Sequence, residues 1–189
     1  MADAMPSSPF PSPSFDDVFS GLLPRLYRRA VLLAGSRQAA EDIVHETYLK
    51  LAARPYRFLA HPEPYARAFT ALLSVARETH RRERRQALIG EGGPDDGPGS
   101  GALMRELPGA GWDGRRERRQ AELEAVRLLS RLTHRQAGLV ILVDLDGYTL
   151  GKAARIMKVQ RCTAVRHRRR ALERLREYLA ASPYDLAGR

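Results

Sequence analysis

The sequence predicts an all-α protein made of two small helical domains joined by a flexible linker, and three observations predict it. Apolar residues recur at three- and four-residue spacing in both halves of the chain, and no stretch alternates as a strand does. Twelve of the 25 residues between 90 and 114 are Gly or Pro, a density that no helix or strand survives. The charge is divided in the same way. Residues 25–89 carry 13 Lys+Arg against 6 Asp+Glu, net +7, and residues 115–189 carry 18 against 8, net +10. The stretch between them carries 1 against 5, net −4. The expected organisation is a disordered tail over 1–14, a helical domain over 15–89, a linker over 90–114, a second helical domain over 115–182 and a tail over 183–189.

In the first domain, Ser14 and Asp17 form a helix N-cap pair. Pro24 suits a first helical position with Gly21 before it, and Leu26, Ala30 and Leu33 then recur at helical spacing until Gly35 ends the run. Ser36 caps a second helix that runs to about Arg54, where Pro55 stops it. Its apolar side holds Ala40, Ile43, Val44, Thr47, Tyr48 and Leu51. A third helix begins near Pro62–Pro64, carries Phe69, Leu72, Leu73 and Ala76, and ends in the basic run Arg81, Arg82, Arg84 and Arg85.

The second domain reads as four helices. The first, Arg115–Arg131, carries the stripe Leu123, Val126, Leu129 and Leu132. Thr133 caps the second, which ends at Asp146–Gly147. Thr149 caps a short third helix with Ala153, Ala154 and Met157 facing inward. A tight turn over Lys158–Gln160 leads into a fourth, from about Arg161 to Ala181.

A short helix, a three-residue turn and a longer basic helix make a helix-turn-helix. The major groove of DNA admits one helix, whose N-terminal half presents side chains to base edges. Residues 152–176 carry ten basic side chains against one acid. Arg161 and Arg166 suit guanine, and Thr163 suits a base edge or a phosphate. His167 lies on the same N-terminal half. Arg168, Arg169, Arg170 and Arg174 suit phosphates, which position a protein without specifying sequence.

The two halves together resemble the extracytoplasmic-function sigma factors of the sigma-70 family. Leu132–Arg176 is similar to their region four, with Arg135, Gln136, Gly147, Thr163, Arg170, Ala171, Leu175 and Arg176 at the typical positions. Leu26–Glu46 and the residues that follow resemble region two and its A-E-D-[LI]-V-Q-E-[TV]-[FY] motif, matched by Ala40, Glu41, Asp42, Ile43, Val44, Glu46, Thr47 and Tyr48. The resemblance implies an RNA polymerase subunit. Region two, through Asp42, His45 and Glu46 on one helix face, would dock on the beta-prime clamp helices of core polymerase. Its basic run Arg77, Arg81, Arg82, Arg84 and Arg85 would track the single strand of the −10 element. Region four would meet the beta flap and read the −35 element. An anti-sigma factor is a further partner the resemblance allows.

The chain departs from that pattern in places. Ala71 stands at the Trp position, Glu78 (or Leu72, in a register set through Tyr65) at the Asn position, His45 at the Gln position, and Arg168 where an apolar residue is common. Two rival readings follow: a LuxR-like helix-turn-helix regulator, and a degenerate sigma-like adapter that no longer initiates transcription.

Other classes find little support. The five histidines have no metal-ligand spacing, no cofactor motif is present, and nothing suggests an enzyme. The single Cys162 rules out an intramolecular disulfide. No apolar run spans a bilayer and Met1–Ser14 lacks the features of a secretory signal, so the reading is a cytoplasmic protein without a membrane partner.

Overall fold

The structure is a computed structural model that describes residues 13–89 and 115–181. The described residues form eight α-helices and no strand. The linker expected over 90–114 with its Trp112, residues 1–12 of the tail expected over 1–14, and the tail expected over 183–189 lie outside the described residues; Ser14, expected in the first tail, caps the first helix.

Helix α1 (Phe15–Ala34) opens on a full capping box: Asp17 N donates to Ser14 Oγ and Ser14 N donates to Asp17 Oδ2, both at 3.2 Å. It closes at Gly35, whose φ of +75° is the left-handed cap that glycine adopts without steric cost. The sequence places Pro24 at a helix start, but α1 continues through it. Phe19 on one side of Pro24 and Leu26 and Ala30 on the other are all buried in one core. That packing anchors both segments of the helix and outweighs a proline penalty of about 3 kcal/mol.

Helix α2 (Arg37–Ala52) is capped by Ser36 and buries Ala40, Ile43, Val44, Thr47 and Leu51. Pro55 does more than stop it. It occupies the first turn of a short α3 (Pro55–Leu59) whose Phe58 is buried, a helix the sequence reading did not separate. Phe58 meets Phe15 edge-on at 5.2 Å, and Tyr48 packs on Phe15 and Phe19, which closes the bottom of this half. The long α4 (Pro64–Ile89) lies across α1 and α2 and buries Tyr65, Phe69, Leu72, Val75 and Ala76.

Helix α5 (Arg115–Ser130) leads to α6 (His134–Val140), which starts on a second capping box between Thr133 and Gln136. Past Val140 the helix widens into a π-turn over Ile141–Leu145, in which Asp146 N donates to Ile141 O five residues back, at 2.8 Å. Gly147, at φ +74°, ends it. Helix α7 (Leu150–Ile156), a turn with Lys158 at φ 52°, and α8 (Arg161–Ala181) complete the chain.

The two halves, read from sequence as separate modules, pack on one another. Buried side chains of both belong to one apolar cluster, with α1 against α5 and α4 against α6 and α7. Gly138 lets α6 approach α4 closely, since a Cβ there would sit 2.8 Å from Leu73 Cδ2. Thr70 Oγ1 reaches Ile156 O at 3.3 Å, and Lys152 is ion-paired with Glu63.

Candidate nucleic-acid interface

Two small side chains set the aspect of α8. Ala164 and Ala171, seven residues apart, are fully buried and let the helix lie close on α6 and α7. With that seam inward, Arg161, Cys162, Val165, Arg166, Arg169 and Arg170 project to solvent. Val165, at 47% exposed, lies among them. Thr163 and His167 are half-buried at its margin. Burial, then the neighbouring Arg135, Arg166 and Arg170, hold the His167 imidazole below its usual pKa. Arg169 Nε lies 3.5 Å from Glu173 one turn on. Cys162 is exposed, with Sγ 3.6 Å from Gln160 Oε1.

Arg168 does not join this face. Its guanidinium takes both carboxylate oxygens of Asp144, on the π-turn after α6. The residue read from sequence as suited to a phosphate is thus engaged inside the helix-turn-helix, where it braces α8 on the π-turn. An apolar residue at that position would brace by packing; here a planar fork on a carboxylate does so.

In the first half, Asp42 and His45 are exposed on α2 and Glu46 is half-buried beside them. The one-face arrangement expected from their spacing is present. Arg77, Arg81, Arg82, Arg84 and Arg85 are exposed along α4. The structure links the two sets, with Arg82 Nη1 3.7 Å from Glu46 Oε1. Glu78, at the position where the resemblance expects Asn, is engaged from α2: Lys50 Nζ lies 3.7 Å from its Oε1. Ser74 Oγ donates to the same oxygen at 3.3 Å. Its charge is partly offset by these two contacts.

Sequence reasoning missed Asp146. Its side chain is fully buried, and its partners come from the other half. Arg25 and Arg29 both hold Oδ1, the latter with Nη2 at 2.8 Å and Nε at 3.1 Å. The Tyr65 hydroxyl donates to Oδ2 at 2.6 Å. Burial, then the bond to Asp146, push the Tyr65 phenol far above its usual pKa, so it stays a donor. In sequence Asp146 had only the signature of a turn before Gly147.

Among the described residues, no group of three or more His, Cys, Asp or Glu side chains is placed to hold a metal ion, and no helix is long and apolar enough to cross a membrane.

The braced pair of helices with a cleared cationic face defines a helix-turn-helix protein with a second, all-helical half ahead of it. No family model matches the chain. Over 143 residues it is 29% identical to the ECF RNA polymerase sigma factor EcfG of Rhodopseudomonas palustris (strain TIE-1), covering 75% of this chain and 71% of that one. Its fold is similar to that of the sigma factor RpoE, solved in complex with the anti-sigma factor NepR from Bartonella quintana. That match has a TM-score of 0.65 and 23% identity, over 88% of this chain and 99% of the other. The chain is thus similar in sequence to one extracytoplasmic-function sigma factor and similar in fold to another sigma factor.

Proposed function

We propose that the chain is a sigma subunit of RNA polymerase that works in the cytoplasm, with residues 15–89 as the region-two domain and 115–182 as the region-four domain. The observation that carries this reading is α8. Its buried Ala164–Ala171 seam turns Arg161, Arg166, Arg169 and Arg170 outward at the end of a helix-turn-helix.

The roles follow from the chemistry of each face. Arg161 and Arg166 offer bidentate donors to guanine in the −35 element, with Thr163 and His167 beside them. Arg169 and Arg170 meet phosphates. Arg77, Arg81, Arg82, Arg84 and Arg85 form the track for the single strand of the −10 element. Asp42, His45 and Glu46 form the contact to the beta-prime clamp helices, and the second half also meets the beta flap. An anti-sigma factor is a natural further partner, since the solved relative is bound to one.

The decisive experiment is reconstitution. The purified chain, added to core polymerase from its own organism, should co-elute with it and support run-off transcription from a promoter found by genomic footprinting. Co-elution without transcription from any footprinted site would favour the sigma-like adapter. Operator binding as a dimer, with no polymerase affinity, would favour the LuxR-like regulator.

A further inference from the structure

We propose that Asp146 is an intramolecular latch that holds the two halves closed, and that it must release before the chain can occupy a promoter. The proposal rests on the sigma-factor reading above and adds to it a control built into the chain.

The latch is built across the boundary. Asp146 belongs to the second half, yet Arg25, Arg29 and Tyr65, which its carboxylate holds, all belong to the first. Arg25 also lies over the Tyr65 ring at 3.7 Å, and Tyr148 stacks parallel to that ring at 6.5 Å. A buried carboxylate is tolerated only while its cations are in place. The contact is therefore made as a set or lost as a set, which is what a two-state element needs.

The far end of the same boundary works against closure. A cleft of about 1000 Å³ opens there between α4 and the second half. Arg77 and Arg84 line one wall, and Arg131, Arg135 and Arg174 the other, with Glu83 the sole carboxylate in the lining. Cations face cations, so closure at this end is opposed and the anionic latch must offset it. Arg77 and Arg84 are also members of the proposed −10 track, and the closed form turns them toward the second half.

Size makes release obligatory. The −10 and −35 elements are by definition roughly 25 base pairs apart, or about 85 Å at ~3.4 Å per pair. A compact chain of this length has a radius of gyration of about 16 Å and is roughly 40 Å across. With the halves in contact, it cannot sit on both elements at once.

The test compares three full-length forms: wild type, Asp146→Ala, and Arg25→Ala with Arg29→Ala. The two variants attack the latch from opposite halves, so a local folding defect in one does not decide the outcome; circular dichroism checks that each keeps its helicity. Small-angle scattering without polymerase should show a radius of gyration several Å larger in both variants. Apparent affinity for core polymerase should rise on the order of tenfold, because a closed majority no longer reduces the competent fraction. Combining all three substitutions should add little, since they break one contact. Wild-type dimensions in both variants would overturn the latch, as would expansion without a gain in core affinity. A wild-type chain that never binds core polymerase would overturn the sigma-factor reading instead, while the scattering result would still decide the latch.

Discussion

Arg168 on α8 and Asp144 on the π-turn after α6 form a two-point ion pair, with Nε 3.0 Å from Oδ2 and Nη2 on Oδ1. The pair is about one-third exposed, with side-chain accessibilities of 34% and 30%. It ties the reading helix to the helix that supports it. Arg168→Ala should cost about 1–2 kcal/mol of stability, measured by urea melts. The slope of DNA affinity against salt should stay at the wild-type value, because this guanidinium is engaged within the protein. A slope shallower by about one phosphate would make Arg168 a DNA contact after all.

Arg166 sits on the cleared face of α8 and is exposed. Arg166→Ala should weaken −35 binding by about 1–3 kcal/mol and relax specificity at one base pair. Competition with single-position promoter variants measures this. Equal weakening on every sequence would identify a phosphate contact.

Asp42 and Glu46 share one face of α2 without contributing to its buried side. Their joint replacement by Ala should lower affinity for core polymerase several-fold and leave −35 binding intact. Fluorescence anisotropy with labelled core and labelled promoter separates the two. The substitution also frees Arg82 from Glu46. Core affinity at the wild-type value would remove this face from the contact.

His134, at the start of α6, is held below its usual pKa of 6.5 by burial first, and then by His80, at 5.1 Å between rings, and by Arg77. The sign follows from linkage. Above pH 6.5 the imidazole is neutral in folded and unfolded chains alike, and its contribution is fully present. As pH falls below 6.5, the unfolded chain binds the proton first, so stability declines until the lower folded pKa is passed. Melts between roughly pH 5 and 8 should show this decline, and His134→Gln should make it shallower, with the part due to His167 remaining. An identical profile in the variant would refute the assignment.

Much of the fold was legible in the sequence because its signals are local. The N-cap pair Ser14–Asp17, the Thr133 cap, the glycine stop at Gly35 and the Thr149 cap all mark helix ends where the structure has them. The Ala153–Ala154 face is buried as its period requires. Pro24 was misread because its cost is local, whereas the packing that overrides it comes from distant residues of the core. Short α3 was missed because five residues are too few to display a period.

By itself, then, the sequence determined most of the helices, the turn between α7 and α8, the cationic character of both halves and the resemblance to sigma factors. Each depends on neighbours within a few residues or on charge summed over a segment. Tertiary structure alone decided which charges are spent internally. Arg168 meets Asp144 24 positions away, and Arg29 meets Asp146 117 positions away. No spacing rule reaches across such distances. Only the folded chain determines that one arginine braces the reading helix while its neighbours Arg169 and Arg170 remain exposed, and that a turn aspartate joins the two halves.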